Sequence, residues 1–392
     1  MKDFCKRISK KIFIVSFMSA FAVCVLFIPV TAFFVTRTEI EPEEVFAEIP
    51  IILLPEATEP PPEEEVEEEP EEEIFGVPSV LTGLRIEEEY ASRRPLGVVI
   101  NNIRASHPQH GISSADIVYE MLAEGDVTRF VAIFQSEWPE KIGSVRSARD
   151  YFIDFAFNHD AIFVFHGASP GGHSHIRSTR IDNLDAGRLA QVFWRDRTYP
   201  DWFTRNTGTR AIEHSSFTGR EQIETHLYEQ DFRTEIGDDS AFGFAFNFGE
   251  RKIASLGPAN HIVVPFSQPY SRIFIFDEEL EKYRVENPQG PHMDGETMSH
   301  VYVTNVLIQL VQMRQLGDYA GRRSITTVGS GRGYLITGGR HFPVLWEKES
   351  HTAPTVWTFE NGDPLTMPPG RIWVCVFQDR GEVTIGSTPS EY

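Results

Sequence analysis

Arg146 and Arg149 flank Ser147 in the stretch GSVRSARDYFIDF (143–155), just ahead of an apolar run with helical spacing. A guanidinium presents a planar fork of donors that grips a carboxylate or phosphate through two parallel bonds, and a helix start adds free N–H groups and partial positive charge. An anion site is one reading of this stretch. The other is internal pairing of the arginines with Glu120, Glu124 or Asp160. Glu120 and Glu124 lie in an otherwise apolar, strand-like run where acids need partners, so the residues lean towards the internal tie. Ser147 followed by Asp150 fits a capping box, which predicts a helix starting after Ser147 with Arg149 as its second residue. Asn101 and Asn102 end a predicted strand; with Arg129, His166 and Asp150 they complete a candidate polar cluster for an anion.

Other motifs carry less. HGASPG (166–171) has the spacing of a nucleophile elbow around Ser169, but the next residue is Pro170, which has no N–H to offer an oxyanion. A glycine-rich turn is expected there. His166, His173 and His175 lie close together without an adjacent acidic ligand, so a polar surface loop is expected and no metal site. VGSGRGYLITGG (328–339) has the wrong glycine spacing for a dinucleotide fingerprint and reads as a hairpin. No catalytic residue and no cofactor are assigned.

The elements that must position these residues begin near residue 92. LGVVINN, ADIVYEML, TRFVAIFQS and AIFVFHG are apolar runs rich in strand formers. Between the third and fourth, SARDYFIDFAFNHD has helical period, and GREQIETHLYEQ (219–230) predicts a second helix. Beyond about residue 260 the pattern is strand after strand. The expected fold class is α+β: a mixed α+β domain over 92–240, then a mostly antiparallel β domain over 258–380, with the boundary between 235 and 260.

Ahead of this lie three segments of different character. Residues 1–11 carry a basic cluster; residues 12–35 are apolar without a charged side chain, about 36 Å as a helix against a bilayer core of about 30 Å. The positive-inside rule then places the tail in the cytoplasm and the remainder outside, on a single-pass signal anchor. Val23 precedes Cys24 where lipoprotein processing wants a small residue, so a retained helix is favoured over lipidation. Residues 36–91 read as a disordered acidic linker: the stretch 38–75 holds sixteen glutamates and seven prolines, with no Lys, Arg or Asp. Of the three cysteines only Cys375 lies in the globular part, so no disulfide framework is available, and its apolar run IWVCVF predicts a buried, inert thiol. The net charge of −21 is concentrated in the glutamate-rich arm, and the mildly acidic globular part is a poor match for nucleic acid.

RPLGVVINN, ADIVYEMLAEGDVTRFVAIFQ, PEKIGSVRSARDYF, VTNVLIQLV, VGSGRGYLITGG and LWEKESHTAPT together resemble the YerB-like family of bacterial envelope lipoproteins, in order, from about 92 to 378. The resemblance implies a two-domain extracytoplasmic protein and assigns no activity. The chain departs from the family in having a membrane helix in place of a lipidated cysteine. The expected function is a membrane-anchored binding or scaffold protein of the cell envelope, engaging cell-wall polymer or a protein of the wall-synthesis machinery. The alternative is a hydrolase or transferase of wall polymer using Asp150, Asp154, His166 or Glu124.

Overall fold

The structure, a computed structural model, describes residues 75–198, 209–237, 247–249 and 253–388. The expected membrane helix (12–35) and the glutamate-rich arm to residue 74 lie outside the described residues. Among those described, no helix is long and apolar enough to cross a membrane.

Folded structure starts earlier than residue 92. Val77–Pro78 pairs with Arg85–Ile86 in a short hairpin, followed by a helical stretch at Glu88–Ser92. Leu81, inside the hairpin, is fully buried in the core. The linker boundary expected at 91 is therefore corrected: once the glutamate run ends, this leucine supplies enough apolar surface to hold the segment down.

The chain then runs through β1 (Leu96–Asn101), β2 (Ile117–Glu124), β3 (Val127–Phe134), α1 (Asp150–Phe157), β4 (Ile162–Phe165), α2 (Pro170–Thr179), β5 (Asn183–Asp185) and α3 (Arg220–Glu229). The strand-rich remainder comprises β6 (His261–Ser267), β7 (Tyr270–Asp277), β8 (Lys282–Asn287), β9 (Asn305–Val311), β10 (Gly329–Thr337), β11 (Arg340–Lys348), β12 (Thr355–Phe359), β13 (Ile372–Gln378) and β14 (Thr384–Gly386). This is a mixed α+β protein, mostly strand.

One sheet of eleven strands spans both halves, in the order Gly257–Pro258, β11, β10, β9, β13, β2, β3, β1, β4, β5, with β12 beside β11. The expectation of two separately cored domains is corrected here. β13 lies parallel between β9 and β2, pairing Trp373 with Val118 and Cys375 with Glu120, so the ladder crosses the sequence boundary. The expected mostly antiparallel second half is also qualified, because β9 and β13 are parallel. β6, β7, β8 and β14 form a second, antiparallel sheet.

Alternation along β2 shows why the central strands read as continuous apolar runs. Ile117, Tyr119 and Met121 join one core with Phe152 and Phe155 of α1; Val118 and Leu122 join a second core with Ile262, Phe274 and Tyr283 of the second sheet and Ile223 of α3. A strand covered on both faces has no wet side to leave polar. Cys375 is buried and free as expected, with its thiol pKa raised by burial.

Candidate functional site

The loop 143–149 is laid along β1 by main-chain bonds: Asn101 N–H to the Ser144 carbonyl at 2.9 Å and Arg146 N–H to the Val99 carbonyl at 2.9 Å. Gly143 has φ +146°, and a Cβ there would sit 2.9 Å from both the Phe217 ring and the Ser216 carbonyl, so only glycine fits. The expected capping box is corrected. The helix begins at Asp150, Arg149 is its N-cap residue, and no side chain caps it. Ser147 belongs to an extended segment ahead of the helix, whose path is set by pairing with β1 and by the main-chain bond from Ala148 N–H to the Gly167 carbonyl at 2.9 Å.

The seven candidate residues divide into separate groups. Arg129 and Arg149 converge on one carboxylate, each donating to a different oxygen of Glu124. They also donate to the carbonyls of Ser147 and Ala148, at 2.8 and 2.7 Å. Burial, and next the neighbouring Arg149, lowers the Arg129 pKa to about 9. These two arginines form an internal tie.

Arg146 takes another course. Half-buried, it donates to the Glu213 carbonyl at 2.8 Å. Beside it, Arg195 donates to the Ile212 carbonyl at 2.7 Å and to His166 Nε2 at 3.3 Å. Because a guanidinium only donates, His166 Nε2 accepts, and its Nδ1–H points to Ser216 Oγ at 2.8 Å. Asn101 joins this group through His214, 3.0 Å from its Nδ1. Burial depresses the pKa of His166, His214 and Arg146, and the neighbouring arginines push both imidazoles the same way. Among the described residues, neither Arg146 nor Arg195 has a carboxylate within ion-pair distance; Glu124 and Glu213 act on Arg146 from further out.

Asn102, one residue beyond β1, points to the opposite face, continuing the strand's alternation. It donates to Thr128 Oγ1 at 2.6 Å and to Glu120 Oε1 at 3.2 Å. Glu120 is fully buried and paired with Arg272 of β7 at 2.7 Å, and it accepts from Trp373 Nε1 at 3.1 Å. Asn102 is thus part of the network joining the two halves, apart from Arg146. Asp150 is exposed at the helix start. Asp160, the remaining proposed partner, pairs instead with Arg94 and Arg233, at 3.3 and 2.6 Å.

HGASPG is corrected from a turn to a helix start. Ser169 is the N-cap of α2, its Oγ accepting from Gly172 N–H at 3.0 Å, with Pro170 in the first turn. The Ser-Pro pair was a readable signal, outweighed at the sequence level by the glycines. Of the expected histidine loop, His173 and His175 accordingly lie on the helix, while His166 lies ahead of it, just after β4. His175 turns inward on α2, where its Nε2 lies 2.8 Å from Asp154 Oδ1 of α1; His351, in the loop after β11, places Nδ1 2.9 Å from Asp154 Oδ2. The three side chains' ligand-type atoms lie within 4.8 Å of one another. Sequence reasoning noted Asp154 and His175 separately and missed His351, which lies 197 residues from Asp154.

Family comparison accounts for both halves. Residues 81–233 match the N-terminal domain, and residues 262–374 the C-terminal domain, of a protein family of unknown function, DUF3048. The chain belongs to this family. It is 30% identical over 310 residues, 78% of this chain and 87% of the relative, to the Bacillus subtilis (strain 168) protein named "Putative lipoprotein YerB". The crystal structure of Bacillus subtilis YerB matches with TM-score 0.67 and 29% identity, covering 80% of this chain and 100% of that one. The YerB-like resemblance read from the motifs is thereby borne out.

Proposed function

We propose that this family member is a membrane-anchored, extracytoplasmic binding protein of the bacterial cell envelope, held off the membrane by its acidic arm. In this reading it engages an anionic cell-wall polymer, directly or alongside the wall-synthesis machinery. The observation that carries it is the cationic group of Arg146 and Arg195, two half-exposed or exposed guanidiniums whose hydrogen bonds go to main-chain carbonyls and an imidazole. Such a pair offers remaining donors in fork geometry to a phosphate or carboxylate. The apolar segment 12–35 and the lipoprotein name of the YerB relative support the location. The hydrolase alternative would need two free carboxylates. Glu124 has both oxygens engaged by arginines, and Asp154 is engaged by two imidazoles and Thr327.

The test compares the full-length protein with its Arg146→Gln/Arg195→Gln variant, in detergent, for binding to purified anionic wall polymer and to neutral glycan. Loss of at least about tenfold in affinity, roughly 1.4 kcal/mol, is expected with melting little changed. Equal binding of the two proteins, or equal binding to neutral glycan, overturns the reading.

A further inference from the structure

We propose that Asp154, His175 and His351 form a binding site for one divalent transition-metal ion of the zinc class, with its remaining coordination positions open to water. This site is independent of the Arg146 group.

The donor set is the first argument. One carboxylate and two imidazoles, supplied by α1, α2 and the loop after β11, bring their ligand-type atoms within 4.8 Å of one another. Nitrogen and carboxylate ligands suit zinc-class ions, and three protein ligands leave room for water. In a tetrahedral site with bonds near 2.1 Å, ligand atoms lie about 3.4 Å apart. The present separations, 2.8 Å from His175 to Oδ1 and 2.9 Å from His351 to Oδ2, are those of imidazole–carboxylate hydrogen bonds, so the imidazole facing whichever oxygen ligates withdraws by about half an ångström to admit an ion. His351 can give that ground: its side chain is 58% exposed, against 15% for His175 and 1% for Asp154.

The second argument is charge. Asp154 is a carboxylate 1% exposed, and among the described residues its ion-pair partners are the two histidines alone. Lys348, the ammonium next to it, is directed elsewhere: to the Asp154 main-chain carbonyl at 3.2 Å, to Asn158 Oδ1 at 2.7 Å and to the Ala353 carbonyl. A divalent ion bound by all three would set its charge directly against this buried carboxylate.

The third argument is the support around the donors. Thr327 Oγ1 donates to Asp154 Oδ2 and orients the carboxylate. Lys348 ties Ala353 to α1, and Thr355 N–H bonds Asn158 Oδ1 at 3.1 Å, so the loop carrying His351 is fastened on both sides of that residue. The open face towards solvent at His351 gives the ion a route in.

The experiment uses tag-free full-length protein in detergent, stripped with chelator, then titrated with Zn²⁺ by calorimetry and with Co²⁺ by visible absorption. One equivalent of zinc per chain, ligand-field bands from cobalt and a zinc-dependent rise in melting temperature are expected. His351→Ala and His175→Ala should each weaken zinc binding by at least about tenfold and abolish the melting shift, since each removes one of three protein ligands. His173→Ala, two residues from His175 and outside the cluster, should bind as the parent does. Because His351 is largely exposed, its variant tests the site without threatening the fold. Absence of saturable zinc binding, or parental affinity in His351→Ala, overturns the proposal and leaves an internal ion-pair cluster only.

Discussion

At the scale of single residues, two neighbouring arginines with similar sequence surroundings have different work. Arg149 shares Glu124 with Arg129, whereas Arg146 leans on a carbonyl at the surface. Two guanidiniums on one carboxylate make the acid the critical member. Glu124→Gln leaves two adjacent buried cations unopposed and should destabilise by about 3–5 kcal/mol. Arg149→Gln leaves Glu124 paired with Arg129 and relieves the repulsion that helps depress the Arg129 pKa, so its cost should be smaller, about 1–2 kcal/mol. Arg146→Gln should cost less than about 1 kcal/mol. Denaturant unfolding of the three variants checks the order, and an Arg149 cost exceeding that of Glu124 refutes the shared tie. The need of Glu120 and Glu124 for partners was legible in the sequence. Which arginine answers which acid was not, because Arg272 lies 152 residues from Glu120.

At the scale of elements, hydrophobic period served well where one face or both faces are apolar. β1, β2, β3, β4 and α3 fall within a few residues of the runs that predicted them. Helix starts were read less well. The capping-box spacing at Ser147 misleads because main-chain pairing to β1 keeps the chain extended there, and the cap at Ser169 is masked by flanking glycines in a helix held by packing on α1. Ser169→Ala should therefore cost about 1 kcal/mol by loss of the bond to Gly172 N–H, with no effect attributable to a nucleophile. A melting comparison with Ser174→Ala, on the exposed side of the same helix, isolates the cap; equal melting of the two variants would mean that the bond contributes nothing.

At the scale of the whole molecule, the division into two halves is real in sequence and absent from the sheet. The described residues form one compact unit, and no local pattern in the sequence signals that β13 inserts beside β2. The halves meet through a buried polar network in which Arg272 lies 3.0 Å from His292 Nδ1, and His107 Nε2 lies 2.9 Å from Asn102 Oδ1. Burial, with Arg272 adding to it, lowers the His107 pKa to about 4 and puts that of His292 well below its ordinary value. In the unfolded chain both titrate near 6.5. As pH falls from 6.5 towards 4, the unfolded chain takes up protons that the folded one refuses, so stability present above pH 6.5 is lost across that window. His107 alone contributes about 1.4 kcal/mol per pH unit, or about 3 kcal/mol in all. Denaturant unfolding from pH 7.5 to 4.5 should show this slope, and His107→Gln should flatten it. An unchanged slope in the variant rules His107 out as its source.

The hydrogen bond from Trp373 to Glu120 joins residues 253 apart in the chain. A ribosome adding about 5–20 residues per second needs roughly 13–50 s to make that interval. For all of that time β2 has been synthesised but lacks its neighbour, with the edge meant for β13 open and Glu120 without its indole partner. The first half thus waits, incomplete, for a strand made long after it. A stop codon shortly before Ile372 would leave the edge of β2 without this partner for good.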